Sequence, residues 1–260
     1  MVADLLERGY ALFPHDSALA AWVRAVRPAA QAAIEDEELR AKWLVCKGTW
    51  FVGVDALAND ASGSVDGSGP LTGAAIEVAQ GLFGSLALHP AQLSVVWPGY
   101  PQPRDGESEA AFRFRLKRDA AHLDGIKAQG PERKRFIDEL HAWILGVPLN
   151  ETAAGASPMV IWDGSHEVMR RGLLGALEEV PESRWHEVDL TAAYQAARRE
   201  VFETCQRVEL HARPGEAYLL HRLCLHGVAP WRAGADEAGR VVAYFRPELP
   251  GGVGKWLRAP

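Results

Sequence analysis

A chain of 260 residues, 48% hydrophobic and 24% charged, has the make-up of a globular protein able to bury one sizeable core. A net charge of -6 argues against general nucleic-acid binding, and no apolar stretch reaches the length of a membrane span. Cys46, Cys205 and Cys224 are odd in number and far apart, which predicts reduced thiols in a cytoplasmic protein rather than a disulfide framework; the charges of Asp4, Glu7 and Arg8 break the apolar run that a signal peptide needs.

Residues 1–45 read as a helical opening segment of a single domain, 1–260. Val2 to Glu7 predicts a short helix ended by Gly9, and Tyr10 to Phe13 a strand ended by Pro14. Ser17 is placed to cap a helix from Ala18 to about Val26, which Pro28 interrupts or restarts, and an alanine-rich helix follows toward Leu39. Lys42 to Gly53 predicts a strand or two, and residues 58–73, rich in Gly, Asn, Asp and Ser, a long loop. Leu71 to Leu82 reads as a helix and Leu93 to Trp97 as a strand. Phe112 to Lys117 alternates cleanly and predicts a strand. Further strands are predicted at Leu140 to Leu149, Met159 to Trp162, Arg207 to His211, Ala217 to Leu220 and Arg240 to Arg246, with a helical insertion over 167–206. Short strands after a helical opening predict a mainly β fold, a barrel or jelly roll with flanking helices.

His122 and Asp124 stand two residues apart in Ala121-His122-Leu123-Asp124-Gly125, so on a strand an imidazole and a carboxylate project from one face. With a third donor from a distant strand they form a facial set that leaves open positions on a metal, the arrangement of non-haem Fe(II) oxygenases. Leu225-His226-Gly227 lies downstream, with His221 nearby as a rival donor.

His122-Leu123-Asp124, the Trp143 strand, Ser157-Pro158-Met159-Val160-Ile161-Trp162-Asp163-Gly164-Ser165-His166, Pro214-Gly215-Glu216, Leu225-His226-Gly227 and Arg240 follow one another in an order that resembles the phytanoyl-CoA dioxygenase family of Fe(II)- and 2-oxoglutarate-dependent oxygenases. The resemblance implies a double-stranded β-helix, a cupin-like barrel, with Fe(II) held by His122, Asp124 and His226, the histidine directly before the glycine. It implies 2-oxoglutarate as cosubstrate, gripped at its far carboxylate by Arg240, with Arg232 and Arg246 as competitors, and lined by Trp143. His141, Trp162, His221 and Tyr244 are candidates for the substrate pocket, and His166 has a structural role in its turn. The implied reaction is oxidation of a small molecule, such as hydroxylation. Where the family often has a hydroxyl after the His-Gly pair, this chain has Val228. A cupin-like metal enzyme that does not activate oxygen and a non-catalytic ligand-binding barrel are the alternatives.

Eight basic residues between Arg113 and Arg135 form either a rim attracting an anionic substrate or a solvated face. Residues 58–73 and the 167–206 insertion are the candidates for a lid. The sequence has no Gly-x-Ser-x-Gly elbow, no phosphate-binding Gly-rich loop and no Cys-x-x-Cys pair.

Overall fold

Alternation of side chains along short strands divides the interior into two apolar layers. The computed structural model describes residues 1–234 and 238–260. The helices are α1 (Val2–Arg8), α2 (Ser17–Glu35), α3 (Glu37–Trp43), α4 (Ala74–Phe83), α5 (Glu109–Lys117), α6 (Ser165–Leu177), α7 (Thr191–Thr204) and α8 (Gly252–Arg258). The strands are β1 (Tyr10–Phe13), β2 (Leu44–Val45), β3 (Trp50–Phe51), β4 (Gln92–Val96), β5 (Ile126–Gln129), β6 (Lys134–Ile137), β7 (Trp143–Pro148), β8 (Met159–Trp162), β9 (Arg207–Leu210), β10 (Ala217–His221), β11 (His226–Val228) and β12 (Arg240–Phe245). A larger sheet runs β1-β10-β7-β12-β4-β3-β2, a smaller one β11-β8-β9, and β5 pairs with β6. All these ladders are antiparallel.

Ile144, Tyr218, Leu220, Val242 and Tyr244 of the larger sheet pack with Met159, Ile161 and Leu210 of the smaller one, so one core lies between the two sheets. The alternate residues Trp143, Leu145, Val147, Ala243 and Phe245 turn to the other side and pack with Trp22, Val23 and Val26 of α2. No helix among the described residues is long and apolar enough to cross a membrane.

Gly146 sits in the middle of one row of the larger sheet, paired with Tyr218 on β10 and with Tyr244 on β12. A Cβ there would lie 2.1 Å from Cε2 of Tyr218, so the absent side chain is the space that the tyrosine ring occupies. Gly146→Ala is expected to cost about 1–3 kcal/mol through overpacking, read as a lowered urea midpoint. An unchanged midpoint would mean that the ring does not lie across this strand.

Three local expectations are corrected. Phe112 to Lys117 is not a strand but the body of α5. Ser108 caps this helix, accepting from the Ala111 N–H, and Phe114 is 56% exposed, so the alternation encodes no buried face. Pro28 does not break α2, because Leu19, Trp22, Val23, Val26, Ala30 and Ile34 continue one buried stripe past it. Pro28 is itself exposed, and water can reach the carbonyl that its missing N–H leaves free. The cap of α2 is Asp16, not Ser17: its Oδ1 accepts from the N–H groups of Ala18 and Leu19.

Candidate metal centre

His122 lies on no continuous strand; an isolated bridge joins it to His226, the first residue of β11. The two backbones exchange both hydrogen bonds, His122 N to His226 O at 2.8 Å and the reverse at 3.1 Å. This brings the rings to 4.5 Å between centroids. Nε2 of His122 is 3.3 Å, and Nε2 of His226 3.8 Å, from Oδ1 of Asp124. One ligand atom from each of these residues lies within 4.8 Å of the others, and among the described residues no other group of His, Cys, Asp and Glu meets this condition.

The protonation pattern suits a metal. Nδ1 of His122 is 3.1 Å from the Ala120 carbonyl and Nδ1 of His226 is 2.9 Å from the Cys224 carbonyl. A carbonyl only accepts, so each Nδ1 is the donor of its pair and each Nε2 is the nitrogen that faces Asp124. Burial, with His122 alongside, lowers His226 to about 4, so its ring is neutral at ordinary pH. Burial by itself would raise the Asp124 carboxyl; the Arg246 guanidinium outweighs it and holds the group well below the usual range.

Neighbouring residues fix this geometry. Arg246 Nη1 donates to Oδ2 of Asp124 at 2.9 Å, leaving Oδ1 for the histidine side, and its other terminal nitrogen bonds Gln92. Gly227 admits the backbone that crosses it, since a Cβ there would be 2.2 Å from the Asp119 carbonyl oxygen. Asp119 is in turn held by Arg207 through two bonds of 2.7 and 2.9 Å. Ser165 Oγ accepts from the Leu225 N–H at 3.0 Å, tying the turn before α6 to the residue preceding His226.

The three candidate ligands open into a cavity of about 180 Å3 walled by Trp50, Val52, Val54, Gln92, Ser94, Ile144, Met159, Gly227, Val228, Tyr244 and Arg246. Of the residues suggested for the pocket, Tyr244 therefore lines it. Trp143 and Trp162 do not: each sits on the outward face of its strand in the helix-covered core, Trp162 edge-on to Phe202. Trp143 is one residue from Ile144 and Trp162 three from Met159, odd separations that put each tryptophan on the face opposite to these cavity residues. His141 bonds the Arg246 carbonyl and Glu139. His221 lies outside the cavity, its Nδ1 accepting from the Leu223 N–H and its Nε2 2.9 Å from Arg170. His166 donates from Nε2 to the Leu6 carbonyl at 2.9 Å.

Arg240 begins β12 and is only 7% exposed. It lines a neighbouring cavity of about 150 Å3 together with Tyr218, Val242 and Glu216. Arg232 is bound to Glu209 at 2.6 Å and Arg246 to Asp124, so both competitors for the cosubstrate role already have acidic partners. None of the eight basic residues between Arg113 and Arg135 lines the ligand cavity. Arg115 is tied to Glu107 at 2.7 Å, and Arg118 and Arg135 lie over Phe202 and Tyr194. The lid candidates are also displaced from it. Residues 58–73 pack on the outer layer, where Trp22 donates to the Gly63 carbonyl, and no residue of that loop, α6 or α7 lines the cavity.

No protein-family model matches the sequence. No curated protein matches it either. Among solved structures, the chain is similar to the non-heme alpha ketoglutarate dependent carbocyclase SnoK from nogalamycin biosynthesis, with a TM-score of 0.51 and 15% identity over 95% of this chain and 82% of that one. It is also similar to AviO1 from Streptomyces viridochromogenes Tue57, with a TM-score of 0.50 and 12% identity over 100% of this chain and 96% of that one. At these identities the likeness is one of fold. The chain thus joins a fold shared with a non-haem, alpha ketoglutarate dependent enzyme to a His-Asp-His cluster of its own.

Proposed function

We propose that this protein is a non-haem Fe(II)- and 2-oxoglutarate-dependent oxygenase of the phytanoyl-CoA dioxygenase type, built on a double-stranded β-helix and hydroxylating a small molecule. The observation that carries the reading is the convergence of His122 Nε2, His226 Nε2 and Asp124 Oδ1, with the Nδ1 of each histidine turned to a backbone carbonyl. Two imidazoles and one carboxylate on one side of a site suit Fe(II) and leave positions for a chelating acid and oxygen. When bound, Fe(II) and 2-oxoglutarate supply the oxidising chemistry, in which the 2-oxo acid is oxidatively decarboxylated and the substrate takes an oxygen atom.

The chain's own residues supply the setting. Arg246 orients Asp124. The side chains of Trp50, Val52, Val54, Ile144 and Met159 give an apolar wall that excludes water from the reacting position and suits a substrate with an apolar part. Arg240 is buried, and its Nε and Nη2 have no hydrogen-bond partner among the described residues. A buried guanidinium with free donors fits a ligand carboxylate, so Arg240 is assigned to the far end of 2-oxoglutarate. Arg240→Ala is expected to weaken 2-oxoglutarate binding to the Ni(II)-loaded protein by about 30-fold, near 2 kcal/mol, with Ni(II) affinity unchanged. Equal 2-oxoglutarate affinity in variant and parent, measured by calorimetry, would remove Arg240 from the role.

A further inference from the structure

Two of the eight basic residues between Arg113 and Arg135 meet a third arginine that comes from α7. Arg118 lies over the ring of Phe202, 4.2 Å from its centroid, and Arg135 over that of Tyr194 at 4.4 Å. Arg198 lies 5.4 Å from both rings, so each of the other two shares a ring with it. Backbone hydrogen bonds fix the meeting. The Arg135 N–H donates to Thr191 Oγ1 at 2.9 Å, and the Leu190 N–H to the Arg135 carbonyl at 2.8 Å, which pins β6 to the start of α7. The Arg118 carbonyl accepts from the Ala121 N–H at 2.8 Å, and the Ala121 carbonyl accepts from Arg198 Nη2 at 2.8 Å. The turn after α5, β6 and α7 thus bring three guanidinium groups to one pair of aromatic rings.

All three arginines are half-buried, a setting in which a guanidinium ordinarily has an acid beside it. Among the described residues none of the three pairs with one. The neighbouring acids are engaged elsewhere. Asp119, next to Arg118 in the chain, gives both carboxylate oxygens to Arg207 at 2.7 and 2.9 Å. Asp189 accepts from the Thr191 N–H at 3.0 Å, at the start of α7. Arg198 Nε has no hydrogen-bond partner among the described residues. Burial pulls the Arg198 guanidinium below its usual value; Tyr194 opposes this, and the charges of Arg135 and Arg118 add to it. The ring faces attract the three cations but carry no net charge, so the mutual repulsion stays uncancelled.

We propose that Arg118, Arg135 and Arg198 form a binding site for a phosphate group, outside the ligand cavity. A carboxylate brings one charge and two oxygens, which serve one guanidinium fork; a phosphate brings close to two charges and oxygens enough for all three. The group is either free phosphate or part of a phosphate ester. None of the three arginines lines the cavity of His122, Asp124 and His226, so the site and the cavity can be filled together. Arg198 holds the carbonyl of the peptide that joins Ala121 to His122, which sets the bound anion beside the segment that carries the first candidate ligand. The inference does not depend on the function proposed above.

The test is calorimetric titration of the full chain with inorganic phosphate, and with acetate at matched ionic strength. A chelator is present so that no metal offers phosphate a second position. The parent is expected to bind phosphate at least about ten-fold more tightly than acetate. Arg118→Gln and Arg135→Gln are each expected to weaken phosphate binding by at least about ten-fold, the loss of one charge-assisted contact. Arg113→Gln removes the same charge from the same basic run, at a side chain 68% exposed beside Glu109, and is expected to change the affinity by less than about two-fold. Phosphate also raises the thermal midpoint of the parent, and this rise shrinks in the Arg118 and Arg135 variants. Phenyl phosphate identifies the source: affinity equal to that of phosphate assigns the site to the free anion, and tighter binding assigns it to an ester. Phosphate bound no more tightly than acetate by the parent overturns the site. So do losses in Arg118→Gln and Arg135→Gln no larger than that in Arg113→Gln. Either result leaves the proposed function standing.

Discussion

Asp124→Ala is expected to lower affinity for Co(II) by more than about 100-fold. Loss of a residue that only supports a metal ligand costs 10- to 100-fold, and loss of the one anionic ligand must exceed that. Asp124 is also the group toward which both histidine Nε2 atoms point, at 3.3 and 3.8 Å. Without it two imidazoles remain, and one of them, His122, is 48% exposed at its side chain. The Co(II) spectrum and a calorimetric titration read the loss directly, with the thermal midpoint as a check on folding. Parent-like Co(II) binding in this variant would place the metal elsewhere.

The second large effect is expected at Arg246→Met. The side chains of Asp124 and Arg246 are 11% and 21% exposed, so the pair is largely but not fully out of water. Removing one partner strands the other, at a cost below the roughly 3–5 kcal/mol of a fully buried pair. The pH dependence changes with it. In the parent the folded carboxyl is held well below its ordinary value, so its contribution is complete above that ordinary value and is lost only as pH falls through the folded one. In the variant burial is no longer outweighed by the guanidinium, and the carboxyl rises. Metal binding should then weaken by about 10- to 100-fold at neutral pH and fail at a higher pH than in the parent. A parent-like acid limb for metal binding would show that Arg246 does not set the charge of Asp124.

Short motifs made the metal residues legible, because chemistry constrains spacing. A carboxylate two residues from a histidine, and a histidine followed by a glycine, are local requirements, and the structure gives the glycine its reason in the backbone that crosses Gly227. The pocket walls were harder to read. Trp143 lies one residue from the inward Ile144 and Trp162 one from the inward Ile161, and a strand covered on both faces is apolar at every position, so alternation does not reveal which face is inside. The α5 segment failed in the opposite way: it alternates without burying anything, and its Ser108 cap was the informative residue. The Arg246 to Asp124 pairing spans 122 residues, beyond the reach of any local pattern. The Tyr218, Gly146 and Tyr244 row depends on three strands that are remote in sequence, and it appears only once their register is known.

The most direct measurement of the central claim is the fate of 2-oxoglutarate in the Fe(II)-loaded protein under air and without oxygen, with Asp124→Ala as the blank. The account predicts that the parent releases succinate and CO2 in equal amounts, only when oxygen is present, and that Asp124→Ala releases neither. Slow release without added substrate is sufficient, because it requires only the metal residues and Arg240. Succinate formed equally in the parent and in Asp124→Ala, or none from a parent that has bound both Fe(II) and 2-oxoglutarate, would contradict the account.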